Sequence, residues 1–172
     1  MIYLKQEMMD TKTASTRTEG LLALFDMHTT FFERALEGIS AEDAHNRLNT
    51  KANHMAWLAG ALVGQRYYMI QETHPGLQQA GHELFKDNKG IQEGVTYPSV
   101  SEYLADWKKV SPMAREALVA AGDQKLDSEI DMGFMKMSLF DMIAFTIYRE
   151  ASMIGQLALW RRLLDHPALK YD

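Results

Sequence analysis

Residues 138–166, SLFDMIAFTIYREASMIGQLALWRRLLDH, run without a proline and contain Gly155 as their single glycine. Few structures other than a long helix suit such a stretch. Ser138, with Asp141 three positions on, resembles a capping box and supplies the start. Pro167 supplies the stop, because proline has no N–H and clashes with the preceding turn. Met142, Phe145, Met153, Leu157, Trp160 and Leu164 recur at about every third or fourth position, as on one face of an amphipathic helix. Arg149 and Gln156 fall on that face, and Thr146 lies at its edge. A buried charge or amide is costly unless paired. These residues therefore line a pocket or, for the arginine, lay a stem along the rim with the head in water.

The same period marks three more helices. Thr16 and Glu19 form a capping box for a helix over 16–37, which Gly38 ends. Its stripe is Leu21, Leu24, Phe25, His28, Phe31, Phe32 and Ala35, and His28 reads as a hydrogen-bonded core residue before it reads as a ligand. A helix over 50–72 carries His54, Trp57, Leu58, Ala61, Leu62, Gln65, Tyr68 and Met69 on one side. Gly60 and Gly64 flank that side and permit close helix approach. Ser99 and Glu102 box the start of a helix over 99–121, with Tyr103, Leu104, Trp107, Val110, Ala114, Ala117 and Leu118 as its stripe. Pro112 predicts a kink there, or a break at which Ser111 caps a second segment.

The connections are uneven. Residues 39–48 hold a short turn at Ser40. Glu42 and His45 have the spacing used in carboxylate-bridged di-iron bundles, but such sites need two such pairs and this chain offers one. Residues 73–98, rich in Gly, Asn, Gln and Pro, are long enough for a crossover, with a short helix near 77–84 and with His74 and His82 at the surface. Within 123–137, the run Met132-Gly133-Phe134-Met135-Lys136-Met137 reads as a packed loop or a short extended segment. Residues 1–15 read as a loosely docked arm, and 16–172 as one domain.

Composition removes several classes of function. The formal charge of −5 argues against a nucleic-acid binder. No cysteine is present, so disulfides, zinc–thiolate sites and thiol nucleophiles are excluded. No apolar run is long enough for a membrane span or a signal peptide, so a cytoplasmic location is the expectation. The 12 methionines read as core filler.

Two stretches carry a family resemblance. Asn53-His54-Met55-Ala56-Trp57-Leu58-Ala59-Gly60-Ala61-Leu62-Val63 resembles the second helix of the DinB-like superfamily, which includes thiol-dependent S-transferases. Tyr148-Arg149-Glu150-Ala151-Ser152-Met153-Ile154-Gly155-Gln156-Leu157 resembles that family's His-Glu-x-x-His-x-Gly-Gln. The tail Trp160-Arg161-Arg162-Leu163-Leu164, then His166-Pro167-Ala168-Leu169-Lys170-Tyr171, is similar to the family's ending. The resemblance spans about 16–172. It implies an all-α, DinB-like four-helix bundle with a long crossover between helices two and three, and a homodimer.

The family's metal site uses one histidine from the second helix and two from the fourth. The positions that match them here are Ala61, Arg149 and Met153, so all three ligands are replaced, while Glu150 and Gly155-Gln156 remain. His54 lies seven residues before Ala61, about 10.5 Å along the axis, too far to substitute. No metal and no cofactor are expected. A guanidinium at 149 would stand in for the ion electrostatically and would require a carboxylate partner or an anionic ligand. Glu150 faces elsewhere on the helix and is a poor partner for it. The resulting expectation is a metal-free DinB-like protein binding a small ligand, an anion being one class, in a pocket of His54, Trp57, Gln65, Tyr68, Arg149 and Gln156. The alternatives are an interaction role alone, or an active S-transferase or hydrolase with a non-standard ligand set. No complete nucleophile–base–orienter set is visible, and no nucleic-acid or membrane partner is expected.

Overall fold

The structure is a computed structural model, and it describes residues 12–131, 133 and 135–172. It is mostly helical. The elements are α1 (Glu19–Leu36), α2 (Ala41–His45), α3 (Met55–Met69), α4 (Val100–Ala120), α5 (Asp123–Leu126), β1 (Glu129–Asp131), β2 (Lys136–Ser138) and α6 (Leu139–Leu163). Among the described residues the only sheet is the antiparallel β1–β2 pair, with Ile130 opposite Met137. Of the Met132–Met137 run, Met132 and Phe134 lie outside the described residues, and Lys136 and Met137 join β2. Of the expected arm, residues 1–11 lie outside the described residues. Thr13 and Ser15 are buried, and the Ala14 N–H donates to the Val119 carbonyl at 2.8 Å.

Contacts between side chains fix the helix directions. The Arg17 guanidinium lies over Phe140, His28 meets Glu150, and Arg161 reaches the Ala35 carbonyl, so α1 and α6 run in the same sense. Trp107 donates to the Thr29 carbonyl and Arg115 pairs with Asp26, which sets α4 antiparallel to α1. Trp160 donates to the Asn53 carbonyl and Gln65 touches Met153, which sets α3 antiparallel to α6. Helices α3 and α4 consequently run in the same sense. The segment between them returns along the molecule and packs on α3.

Helix starts follow the sequence where a side chain accepts from an orphan N–H. Ser99 and Glu102 complete both halves of a capping box, and Ser138 accepts from the Asp141 N–H at 3.0 Å. Ser40 caps α2 in the same way. The Thr16–Glu19 box does not form. A 3-10 turn over Thr16–Thr18 intervenes, capped by Ser15, and Thr18 precedes α1 with no side-chain cap. Pro112 does not divide α4, which is continuous. Ser111, expected as a cap, is buried and donates to the Trp107 carbonyl at 2.6 Å. In place of a short helix over 77–84 there is a 3-10 turn at His82–Leu84 and a second at Lys86–Asn88. His74 and His82, expected at the surface, are half-buried.

The inward faces differ from the apolar stripes in one instructive way. In α6 the buried row includes Ile143, Ile147, Glu150, Ile154, Leu157 and Arg161, while Phe145 is 52 % exposed. In α1, Leu22 and Leu36 are buried and Leu24 is exposed. Charged side chains inside the core rotate the true faces away from those that hydropathy alone suggests. Arg161 shows why the arrangement holds. It donates to the carbonyls of Ala35, Glu37 and Pro167, so it caps the C-terminal end of α1 and ties down the tail.

Helix α3 is covered on more than one side. Gly60 accounts for this: a Cβ there would overlap the Phe85 ring and lie 2.6 Å from the Tyr103 hydroxyl. The close approach is therefore partly by the segment between α3 and α4, and not only by a neighbouring helix.

Candidate functional site

At the centre of the molecule Arg66 and Glu150 form an ion pair, both side chains 0 % exposed. Nε of Arg66 donates to Oε1 of Glu150 at 2.8 Å, and Nη2 donates to Oε2 at 3.1 Å. Nη1 donates to the hydroxyls of Thr29 and Ser111, each at 2.7 Å, and Nη2 also reaches the Phe25 carbonyl. All five guanidinium N–H groups therefore have acceptors. The guanidinium plane is held between the rings of Phe25 and Trp107, at 3.8 and 3.6 Å from their centroids. His28 Nδ1 meets the second Glu150 oxygen at 3.2 Å.

Burial alone would raise the Glu150 carboxyl, but the Arg66 charge and the hydrogen bonds from His28 and Arg66 hold it below its ordinary 4.5. Burial also pulls Arg66 down from its ordinary value while Glu150 opposes that. A closed network of this kind fixes helix positions and leaves no Arg66 N–H free for a substrate. His28 was expected to be a hydrogen-bonded core residue, and the structure places it in such a contact. Arg66 was not singled out in the sequence. Its only signal was its place on α3 beside small residues, Val63 and Gly64, which leave room for its stem.

The surface-connected cleft lies one helix row away. It measures about 340 Å³ and opens between α3, α6 and the segment joining α3 to α4. Trp57, Ala61, Gln65 and Tyr68 come from α3, and Met142, Phe145, Thr146 and Arg149 from α6. Gln79, His82, Phe85, Asn88 and Lys89 come from the segment between α3 and α4, and Gly64 of α3 also lines the cleft. That is the small end of the range for ligand sites. Asp106 of α4 anchors that segment to α3 by accepting from the Ala80 N–H at 2.6 Å and the Tyr67 hydroxyl at 3.1 Å. Gly64 lets the Gln79 amide sit directly on the helix backbone, since a Cβ there would be 2.9 Å from Oε1.

Its polar lining has two features. The formally charged residues are Arg149 and Lys89, with no aspartate or glutamate. Among the described residues no carboxylate pairs with Arg149, whose guanidinium stands 5.9 Å from the Phe145 ring centroid. Trp57 Nε1, Gln65 Oε1 and both amide atoms of Gln79 are buried without a protein partner. A second groove of about 310 Å³ lies past Tyr68 and Met142, against Leu118, Ile130 and Leu139. There the charges of Lys125 and Glu72 neutralise each other at 2.9 Å, so it has no comparable demand for a charged ligand.

Of the expected pocket residues, the structure brings together Trp57, Gln65, Tyr68 and Arg149. Gln156 is exposed and does not line the cleft. His54 is drawn into a different role. It is the N-cap of α3, where Nδ1 accepts from the Trp57 N–H at 3.0 Å, and its ring packs against His45 and Tyr97. Gln79, His82, Phe85 and Lys89 were missed because loop residues carry no period from which a face can be read.

Burial, with the neighbouring His45 charge, lowers His54 to about 4 from its ordinary 6.5. Its folded-state value is depressed, so the unfolded chain takes up the proton first. Stability should therefore decline as pH falls from about 6.5 to about 4. The variant His54→Asn keeps a capping oxygen and removes the titration. Urea unfolding across that window should show a shallower acid decline in the variant, and parallel curves would refute the assignment.

Ala61 and Arg149 line one cleft, and Met153 lies one turn along α6, its sulfur contacting Gln65 Nε2 at 3.6 Å. A methyl group, a cation and a thioether do not fit a hard or borderline divalent ion. Among the described residues no group of three or more His, Cys, Asp or Glu is placed to hold one. None of the helices over those residues is long and apolar enough to cross a membrane. In comparisons with known proteins, no family model and no curated sequence matches this chain.

Proposed function

We propose that this chain is a metal-free DinB-like protein, a four-helix bundle with a long crossover, that binds a small anion in the cleft between α3, α6 and the crossover. One observation carries the reading. In a chain of net charge −5, the cleft's formally charged residues are both cations, and Arg149 has no carboxylate partner among the described residues. A guanidinium that is half-buried and unpaired favours a carboxylate or phosphate, which it can engage through two parallel N–H bonds. The matching helix directions of α3 and α4 support the crossover topology, and the quoted motifs support the family. The closed Arg66–Glu150 network disfavours Glu150 as a catalytic acid or base, which makes the enzymatic alternative the weaker one.

Isothermal titration with small carboxylates and with inorganic phosphate tests the reading. Arg149→Ala should weaken anion binding about ten-fold or more, since a charge-assisted bond is worth about 1.5–3 kcal/mol. Equal affinity in the variant would sink it.

Self-association is part of the proposal. Leu24 and Met27 on α1, and Tyr148, Leu159 and Leu163 on α6, are exposed apolar side chains on two helices packed side by side. Light scattering should give a dimer mass at micromolar concentration, and a monomer mass throughout that range would refute it.

A further inference from the structure

The cations explain why an anion would enter the cleft, but they do not explain Gln79. This residue is 5 % exposed, is fixed by the anchor of its neighbour Ala80 on Asp106, and sits flat on Gly64. Both its amide oxygen and its amide nitrogen lack partners. Trp57 Nε1 and Gln65 Oε1, on the same lining, lack them as well. An unmade hydrogen bond on a buried group is a standing cost to the fold. Four such atoms, on three residues that line one cleft, form a pattern, with donors at Trp57 and Gln79 and acceptors at Gln65 and Gln79.

That pattern constrains the ligand. A bare carboxylate has no hydrogen to give and would leave both acceptors unpaired. An alkyl chain would satisfy nothing. A secondary amide offers one N–H and one carbonyl, the complement of a glutamine side chain. The apolar walls, Phe85 and Phe145 among them, suit a flat or hydrocarbon body attached to it.

We infer that the site selects an amide-bearing carboxylate, with the carboxylate at Arg149 and the amide against Gln79 and its unpaired neighbours. This rests on the anion-binding reading above and adds a second requirement to it. Gln79 then sets specificity, while Arg149 sets affinity for the whole class.

The test uses the full chain and two probes that differ in one group. Hippurate has an amide N–H, and O-benzoylglycolate has an ester oxygen in its place. By isothermal titration the parent should bind hippurate about ten-fold more tightly, since the ester leaves an acceptor unpaired. Gln79→Met should bring the ratio close to one, because the acceptor that distinguishes the N–H from the ester oxygen is gone. It should also raise the melting temperature of the free protein, because an unpaired amide is removed. If that variant does not fold, Gln79→Leu should shift the ratio in the same direction. Equal affinities in the parent, or an unchanged ratio in both variants, would overturn the amide requirement and leave the anion site standing. Binding of neither probe would overturn both.

Discussion

Replacing Arg66 by methionine should lower the unfolding free energy by about 3–5 kcal/mol. The reason is what remains behind. Glu150 is 0 % exposed, and Arg66 supplies two of its hydrogen bonds and its strongest counter-charge. Without it the carboxylate keeps only the 3.2 Å contact from His28. Thr29 and Ser111 lose a donor, but each still donates to a backbone carbonyl, so their contribution to the loss is smaller. Replacing both partners, Arg66→Met with Glu150→Met, removes the stranded charge. The double variant should recover most of the stability, because apolar side chains of similar volume are often neutral substitutes for a buried pair.

The pH dependence separates this account from simple loss of packing. In the parent, Glu150 lies below its ordinary 4.5, so the contribution of the pair is present above about 4.5 and is lost as pH falls further. In Arg66→Met, burial is opposed by His28 alone and raises the carboxyl instead. The variant's deficit should then shrink as pH falls toward 4.5. Urea titrations at several pH values measure both quantities. A deficit that is constant with pH, or a double variant as weak as the two single losses added together, would refute the stranded-charge explanation.

The parts of the fold that were legible in the sequence are those governed by local chemistry. Ser99 with Glu102 and Ser138 with Asp141 were readable because a cap needs only a hydroxyl and the next few N–H groups. The helix faces were less legible, because hydropathy assigns every charge to solvent. Glu150 and Arg161 are charged and buried, and their partners lie far away in sequence, at Arg66 and at the end of α1. No local pattern encodes such a pairing. Arg149, one position from Glu150, took the inward place in the reading and is half-buried at a cleft rim.

The cleft was half legible for a related reason. Trp57, Gln65, Tyr68 and Arg149 stand at helical spacing, so a face could gather them. His54 shares that spacing but occupies the first position before α3, where a ring nitrogen that caps the helix cannot also face the cleft. Gln79, Phe85 and Lys89 arrive through a connecting segment whose path depends on two glycines of α3 and on Asp106 of α4. Those glycines were visible as small residues. What would occupy the space was not, since a glycine records room and not the identity of the neighbour.

The second large effect expected is a gain. The triple variant Ala61→His, Arg149→His, Met153→His should bind zinc and be stabilised by it, whereas the parent should not. Ala61 and Arg149 line one cleft from facing helices, and Met153 follows Arg149 by four residues, the spacing that stacks side chains on one helix face. The contact between Met153 and Gln65, one turn from Ala61, keeps that side chain on the α3 side of α6. Three imidazoles match the ligand count of an open zinc site, and removing the guanidinium removes a cation that repels the ion. Zinc at about 100 times its dissociation constant should add about 2.7 kcal/mol to the unfolding free energy, because it binds the folded state. The double variant Arg149→His, Met153→His controls for loss of the cation alone and should gain less, having only two of the imidazoles. Thermal unfolding with and without added zinc reads the difference directly. A triple variant that folds but melts at the same temperature in zinc would show that positions 61, 149 and 153 do not converge. That result would remove the geometric support for aligning this chain's second and last long helices with the DinB-like pattern.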